Sequence, residues 1–166
     1  MNAGAYGGEM KDILKEVRVM DQEGTILTLS AEELELGYRT SIVKKKGYIV
    51  LSANLELAPG NREEIKAKME DLKERRVSKQ PLELPSAGST FKRPEGYFAG
   101  KLIMDAGLRG FTVGGAQVSE KHCGFVVNKG DATAEDVVTL IREVQRQVKD
   151  RFGVELETEV KFLGEF

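Results

Sequence analysis

The segment Pro85-Ser86-Ala87-Gly88-Ser89-Thr90-Phe91-Lys92-Arg93-Pro94 sets two hydroxyls among small residues and follows them with two cations. Beside glycine a hydroxyl can approach a ligand closely, because no bulky side chain intervenes. The same residues also suit a plain turn whose serines cap the next helix. Gly37-Tyr38-Arg39-Thr40-Ser41 places an arginine beside an aromatic ring. A guanidinium grips carboxylates and phosphates at two points, although a surface arginine is as readily structural. The stretch from Gly114 to Phe125 holds the only histidine, His122, either a donor to phosphate or a satisfied ring beside an apolar strand. Glu155, Glu157 and Glu159 alternate with Leu156, so as a strand they would share one face, solvated or turned toward a cleft. Gly4, Gly7 and Gly8 follow no strand and open no clear helix, which makes a dinucleotide fingerprint a poor reading.

Elements of ordinary composition must position these groups. The chain has 166 residues, 40% of them apolar and 31% charged, as in a soluble globular protein. With 25 basic and 27 acidic residues the charge balance favours no nucleic acid, and an anionic small molecule would be met by a few placed cations. No run approaches the roughly 20 apolar residues of a membrane span, and no leader pattern opens the chain; a cytoplasmic protein is expected, with no membrane partner. Cys123 stands alone, which excludes an internal disulfide, argues against zinc and suits a small core residue.

Alternation over Ile13–Met20 and Thr25–Leu29 predicts a hairpin turning at Asp21-Gln22-Glu23-Gly24. Ser30 with Glu33 predicts a capped helical turn through Leu34. Tyr48–Leu57 reads as a strand with Ile49, Leu51, Ala53 and Leu55 on one face. Asn61 predicts the cap of a helix that runs to about Val77, with Ile65, Met69 and Leu72 on a stripe. Three of the four prolines fall between Pro81 and Gly100, an irregular and therefore functional stretch. A helix over Tyr97–Ala106, short strands over Phe111–Val113 and Gly124–Val127 separated by a polar segment, a helix opened by Thr133 with Asp136, and a strand over Val154–Leu163 complete the order. This is an α+β pattern in two units, residues 1–60 and 61–166.

Taken together and in order, Asn2-Ala3-Gly4-Ala5-Tyr6-Gly7-Gly8-Glu9, Gly37 to Ser41, Lys79-Gln80-Pro81, Pro85 to Pro94, Gly96-Tyr97-Phe98-Ala99-Gly100-Lys101-Leu102-Ile103, Gly114 to Phe125 and Glu157-Thr158-Glu159-Val160 resemble the C-terminal two-thirds of the UDP-N-acetylenolpyruvoylglucosamine reductase family. The close spacing of Pro94 and Gly114 is similar to the family's shorter form, which lacks an extra lid tyrosine. The resemblance implies that residues 1–60 are a remnant of an FAD-binding middle domain and 61–166 a small α+β substrate-binding domain. It implies reduction of UDP-N-acetylglucosamine enolpyruvate to UDP-N-acetylmuramate in peptidoglycan precursor synthesis, with FAD as cofactor and NADPH as hydride donor.

By the same resemblance Ser89 would be the proton donor, and Arg39 and Glu159 would polarise the substrate carboxylate and stabilise its enol form. Asn2, Ala5 and Tyr6 would face the flavin, and Tyr6 would also reach the substrate. Lys79, Lys92, Lys101 and Lys121 would meet its carboxylate or diphosphate, and Gln117 a sugar or phosphate oxygen; no metal is implied. In the family a glycine-rich flavin-phosphate stretch and a whole N-terminal domain precede the Asn2 segment. The chain is therefore expected to be truncated, to bind FAD weakly, to be inactive alone, and to want that N-terminal domain as a partner. The alternative function is a non-catalytic UDP-sugar-binding module.

Overall fold

In the computed structural model, which describes residues 1–165, the chain forms two units, one of Met1–Leu72 and one beginning at Lys73. In the first, β1 (Gly4–Ala5) and β2 (Gly8–Glu9) make a tight ribbon. The expected hairpin follows as β3 (Leu14–Met20) and β4 (Ile26–Ser30). Asp21 shapes its turn, Oδ1 accepting from the Glu23 amide at 3.0 Å and the Thr25 amide at 2.7 Å. Ser30 and Glu33 make the anticipated reciprocal bonds, the Ser30 amide donating to Glu33 Oε2 at 2.8 Å and the Glu33 amide to Ser30 Oγ at 3.3 Å. They close one turn, with the Leu34 amide on Ser30 O, and no helix grows from it. A short helix, α1 (Ile42–Lys46), appears instead in the connection before β5 (Ile49–Leu55).

The sheet runs β4-β3-β5, so β3 has a neighbour on each side and buries Leu14, Val17 and Val19 with Leu34. The strand at 48–57 is shorter than its alternation suggests, and the one-sided burial expected of it does not occur: Ile49, Val50, Leu51 and Leu55 are all about half exposed. An edge strand with one neighbour presents both faces, and alternation alone cannot say what covers either. α2 (Arg62–Lys79) is capped as predicted, Asn61 Oδ1 accepting from the Glu63 and Glu64 amides at 2.9 and 3.2 Å. It buries no residue, and Ile65 and Met69 stand open on its stripe.

The second unit is an antiparallel sheet with helices against it: β6 (Ser86–Ser89), α3 (Ala99–Asp105), β7 (Thr112–Val113), β8 (Ala116–Val118), β9 (Phe125–Asn128) and α4 (Ala134–Phe152), in strand order β6-β9-β8-β7. α4 begins where Thr133 and Asp136 predict, with the Asp136 amide on Thr133 Oγ1 and the Thr133 amide on Asp136 Oδ2. Ile141, Val144 and Val148 join Leu140, Leu102, Ile103, Ala116, Val118 and Val126 in the core. The architecture is α+β.

Three local expectations are corrected. The proline-rich stretch contains a strand, β6, and its Ser86 bonds across the sheet to Val126 O at 2.8 Å instead of capping a helix. The polar segment between the short strands contains β8, whose pairing on both sides with β7 and β9 is a non-local fact. The strand at Val154–Leu163 is absent: one bridge, Phe91 to Thr158, is all that forms. The bulged, glycine-containing β6, with Gly88 at φ 90°, offers no straight ladder for a longer partner. The three carboxylates consequently share no strand face; Glu155 pairs with Lys149 and Glu157 with Lys92. Among the described residues no helix is long and apolar enough to cross a membrane, and no cluster of three metal-ligating side chains forms.

Candidate active site

In the first unit β1 and β2 are joined by Tyr6 and Gly7, at φ 52° and 84°. Two successive left-handed residues make the tight turn that matches strand twist, and glycine takes the second at no steric cost. Asn2, 2% exposed, holds this ribbon closed: Nδ2 donates to Glu9 Oε2 at 2.9 Å and Oδ1 accepts from the Lys11 amide at 3.1 Å. Its side chain is thus spent within the protein. Lys11 first, and Asn2 next, hold the Glu9 carboxyl below its ordinary value. A cleft of about 420 Å3 opens beside the ribbon, and Ala5, Tyr6, Tyr38 and Arg39 line it. Tyr38 escaped the sequence reading as a member of the site; its place next to Arg39 was the only signal.

Arg39 sits at φ 54° in the turn closed by Gly37 and Thr40, whose amides and carbonyls bond reciprocally at 3.3 and 3.4 Å. Its guanidinium carbon lies 5.2 Å from the Tyr38 ring centroid. A non-glycine side chain in the left-handed region is strained by about 1 kcal/mol or more. The turn therefore projects a cation from a backbone that would prefer glycine.

In the second unit Ser89 ends β6, exposed and paired with Phe125 after the Gly88 bulge. The next residue, Thr90, is 2% exposed and ties three segments together. Its amide donates to Gly124 O at 2.8 Å, its Oγ1 accepts from the Val126 amide at 3.0 Å, and its carbonyl accepts from the Glu159 amide at 2.8 Å. Ser89 and Glu159 are therefore attached to opposite sides of one buried residue, although 70 positions separate them in the chain. The Lys92 amide donates to Glu157 O at 2.8 Å and its ammonium pairs with the Glu157 carboxylate, beside the same bridge. Thr90 was not singled out from sequence; a threonine between two β-formers carries no mark of a three-way junction.

Two of the other anticipated cations, Lys101 and Lys121, have protein partners. Lys101 pairs with Asp105 at 2.8 Å. Lys121 donates to Val77 O at 2.9 Å and faces Glu83 at 3.5 Å. Lys79 is exposed at the end of α2. Gln117 Nε2 donates to Gly110 O at 3.2 Å and approaches Thr112 Oγ1 at 3.3 Å. His122 follows its structural alternative: Nδ1 accepts from the Gly124 amide at 3.0 Å, and its ring meets Phe125 edge-on. Gly115 is needed for packing, since a methyl group there would lie 2.1 Å from Gly130 O. Cys123 is a core residue, its thiol pushed up by burial, which makes it a poor nucleophile.

Known proteins resemble this chain along almost its whole length. The curated UDP-N-acetylenolpyruvoylglucosamine reductase of Lachnoclostridium phytofermentans is 67% identical over 165 residues, 99% of this chain and 53% of the relative. That of Clostridioides difficile is 66% identical over 165 residues, 99% of this chain and 54% of the relative. The crystal structure of UDP-N-acetylenolpyruvylglucosamine reductase from Thermus caldophilus superposes with a TM-score of 0.81 at 40% identity, covering 96% of this chain and 57% of that one. The chain thus spans about half the length of the curated relatives it matches. The family model described as UDP-N-acetylenolpyruvoylglucosamine reductase, C-terminal domain, matches residues 80–163, half of the chain, and the chain belongs to that family.

Proposed function

We propose that this chain supplies the C-terminal part of a cytoplasmic reductase that converts UDP-N-acetylglucosamine enolpyruvate to UDP-N-acetylmuramate for peptidoglycan, using FAD and NADPH. In this reading residues 1–60 belong to the FAD-binding middle domain and residues 61–166 form the substrate-binding domain. The observation that carries it is the Thr90 junction, which ties Ser89 to Glu159 through a 2.8 Å backbone bond.

The cleft of about 420 Å3 beside the glycine-rich ribbon is within the size range of small-molecule pockets and fits the ring end of a flavin, with Ala5 and Tyr6 as its walls. A flavin held there would supply the hydride chemistry for the enolpyruvyl group. The chain's own residues do the rest. Arg39 grips the carboxylate and strengthens its hold as electron density flows toward it, which favours the transition state over the ground state. The Ser89 hydroxyl gives its proton to the carbon next to the one that receives hydride. A serine is a weak acid, so this donation needs the resulting alkoxide to be stabilised by neighbouring charge; the Lys92 ammonium, three residues on, is the local source. Glu159 steadies the enol form from the other side of Thr90. Asn2 contributes by locking the ribbon, the exposed Lys79 contributes to the phosphates directly, and Lys101, Lys121 and Gln117 contribute to the phosphates and sugar only by exchanging their present partners.

The test joins this chain to the remaining half of the Lachnoclostridium relative and follows NADPH oxidation that depends on the enolpyruvyl substrate. Ser89→Ala should lower turnover about 100-fold or more, the usual contribution of a positioned general acid, with flavin content unchanged. Turnover that survives Ser89→Ala would remove the proton-donor role.

A further inference from the structure

The second unit holds a cleft of about 640 Å3 that the proposed reaction leaves unused. It lies between β6 and β9, the first two turns of α4 and the segment 160–163. Its deep wall is core: Val127, Val138 and Ile141 are each at most 5% exposed. Its outer wall is not. Val160 packs against that core, but Phe162 is 44% and Leu163 87% exposed, although both line the cleft. Beyond the Phe91–Thr158 bridge the chain forms no strand up to residue 165, so these two apolar side chains stand beside the cleft with water around them, and an apolar occupant would take that surface out of water.

The polar groups of the lining select the occupant. Ser86 Oγ donates to Val126 O at 2.8 Å, Thr90 Oγ1 accepts from the Val126 amide at 3.0 Å, and Asn128 Oδ1 accepts from the Gly130 and Ala132 amides at 2.9 and 3.2 Å. Spent on the protein's own backbone, these groups offer little to a sugar, whose hydroxyls must each regain on burial the bonds they made to water. A phosphate asks for several converging donors, and here there is a single cation. Among the described residues of the lining Lys161 alone is charged, and none is acidic. Apolar walls with one exposed ammonium match an apolar body that ends in one negative charge.

We propose that this cleft binds an aliphatic monocarboxylate, with its chain against α4 and β9 and its carboxylate at Lys161. The site is independent of the reductase reading, yet it adjoins the Ser89–Glu159 junction. Thr90 lines the cleft, its carbonyl accepts from the Glu159 amide at 2.8 Å, and Val160, the next residue, lines it too. An occupant therefore bears on both ends of the backbone bond that carries Glu159.

Titration of the intact chain with sodium octanoate, and separately with uncharged octanol, tests it by calorimetry and by two-dimensional amide spectra. Octanoate should bind saturably at one site and shift the amides of Val127, Val138 and Glu159 together. Leu163→Ser, at a position too exposed for the fold to depend on it, should weaken both probes about fivefold through lost apolar contact. Lys161→Gln should weaken octanoate about threefold, the contribution of one exposed ion pair, and leave octanol unchanged. Uptake of octanoate without saturation, amide shifts confined to other surfaces, or equal octanoate affinity in the parent and Leu163→Ser would overturn the site. Equal octanoate affinity in the parent and Lys161→Gln would overturn the carboxylate assignment. The reductase reading stands or falls on turnover in Ser89→Ala, which moves none of these readouts.

Discussion

Replacing Thr90 by valine isolates the hydroxyl at the junction between Ser89 and Glu159. Valine has nearly the same shape and leaves the Thr90 amide and carbonyl bonds to Gly124 and Glu159 available. It leaves the Val126 amide, now bonded to Thr90 Oγ1 at 3.0 Å in a buried setting, with no acceptor. An unsatisfied buried N–H costs about 1–3 kcal/mol, and the added methyl returns about 0.8 kcal/mol. The net loss is about 1 kcal/mol, and at a urea slope near 1 kcal/mol/M the midpoint falls by about 1 M. Thr90→Ser loses a methyl and keeps the acceptor, so its stability loss is similar and urea alone does not separate the two. Amide exchange does: in Thr90→Val the Val126 amide should exchange several-fold faster relative to the Lys129 amide, which bonds to Gly115 O, and in Thr90→Ser it should not. Equal Val126 protection in both variants would show that the hydroxyl does not hold β9 to the serine loop, leaving the backbone bonds of Thr90 as the whole of the junction.

Gly115→Ala should destabilise the second unit by about 3 kcal/mol, the upper end of overpacking costs, because all three nearest atoms to the new methyl are backbone of Gly130 and Ala132; a melting temperature within a degree of the parent would contradict this. Arg146, and after it Gln147, hold the Glu143 carboxyl down to about 2. Since its folded value lies below its unfolded one, the stabilisation is complete above about pH 4.5 and is lost as pH falls toward 2. Glu143→Gln should therefore flatten the fall in stability between those values, measured by urea titration at successive pH, whereas an unchanged slope would assign that acid sensitivity to other groups.

Sequence was most informative where the determining interactions are local. Thr133 and Asp136 are three apart and cap α4 from within one turn, and Asp21 organises its hairpin within four residues; spacing alone carries such information. The strand expected over Val154–Leu163 failed because its alternation is local while a ladder needs a straight neighbour, and Gly88 bends the one available. β8 was lost for the opposite reason: three residues with no marked alternation become a strand because β7 and β9 flank them. In the candidate site residue types were legible and their company was not. Ser89 and Ser86 look alike in sequence, yet Ser86 is turned onto Val126 O and Ser89 is left at the exposed end of the strand. His122, chemically the most suggestive side chain, is occupied by the Gly124 amide.

The left-handed backbone of Arg39 has a consequence for anyone altering this protein. A selection that rewards only heat resistance should converge on glycine at position 39, since that residue relaxes the turn at φ 54°. On the role proposed for Arg39, the survivors would be tougher and chemically blank, robustness and function pulling in opposite directions at this one position.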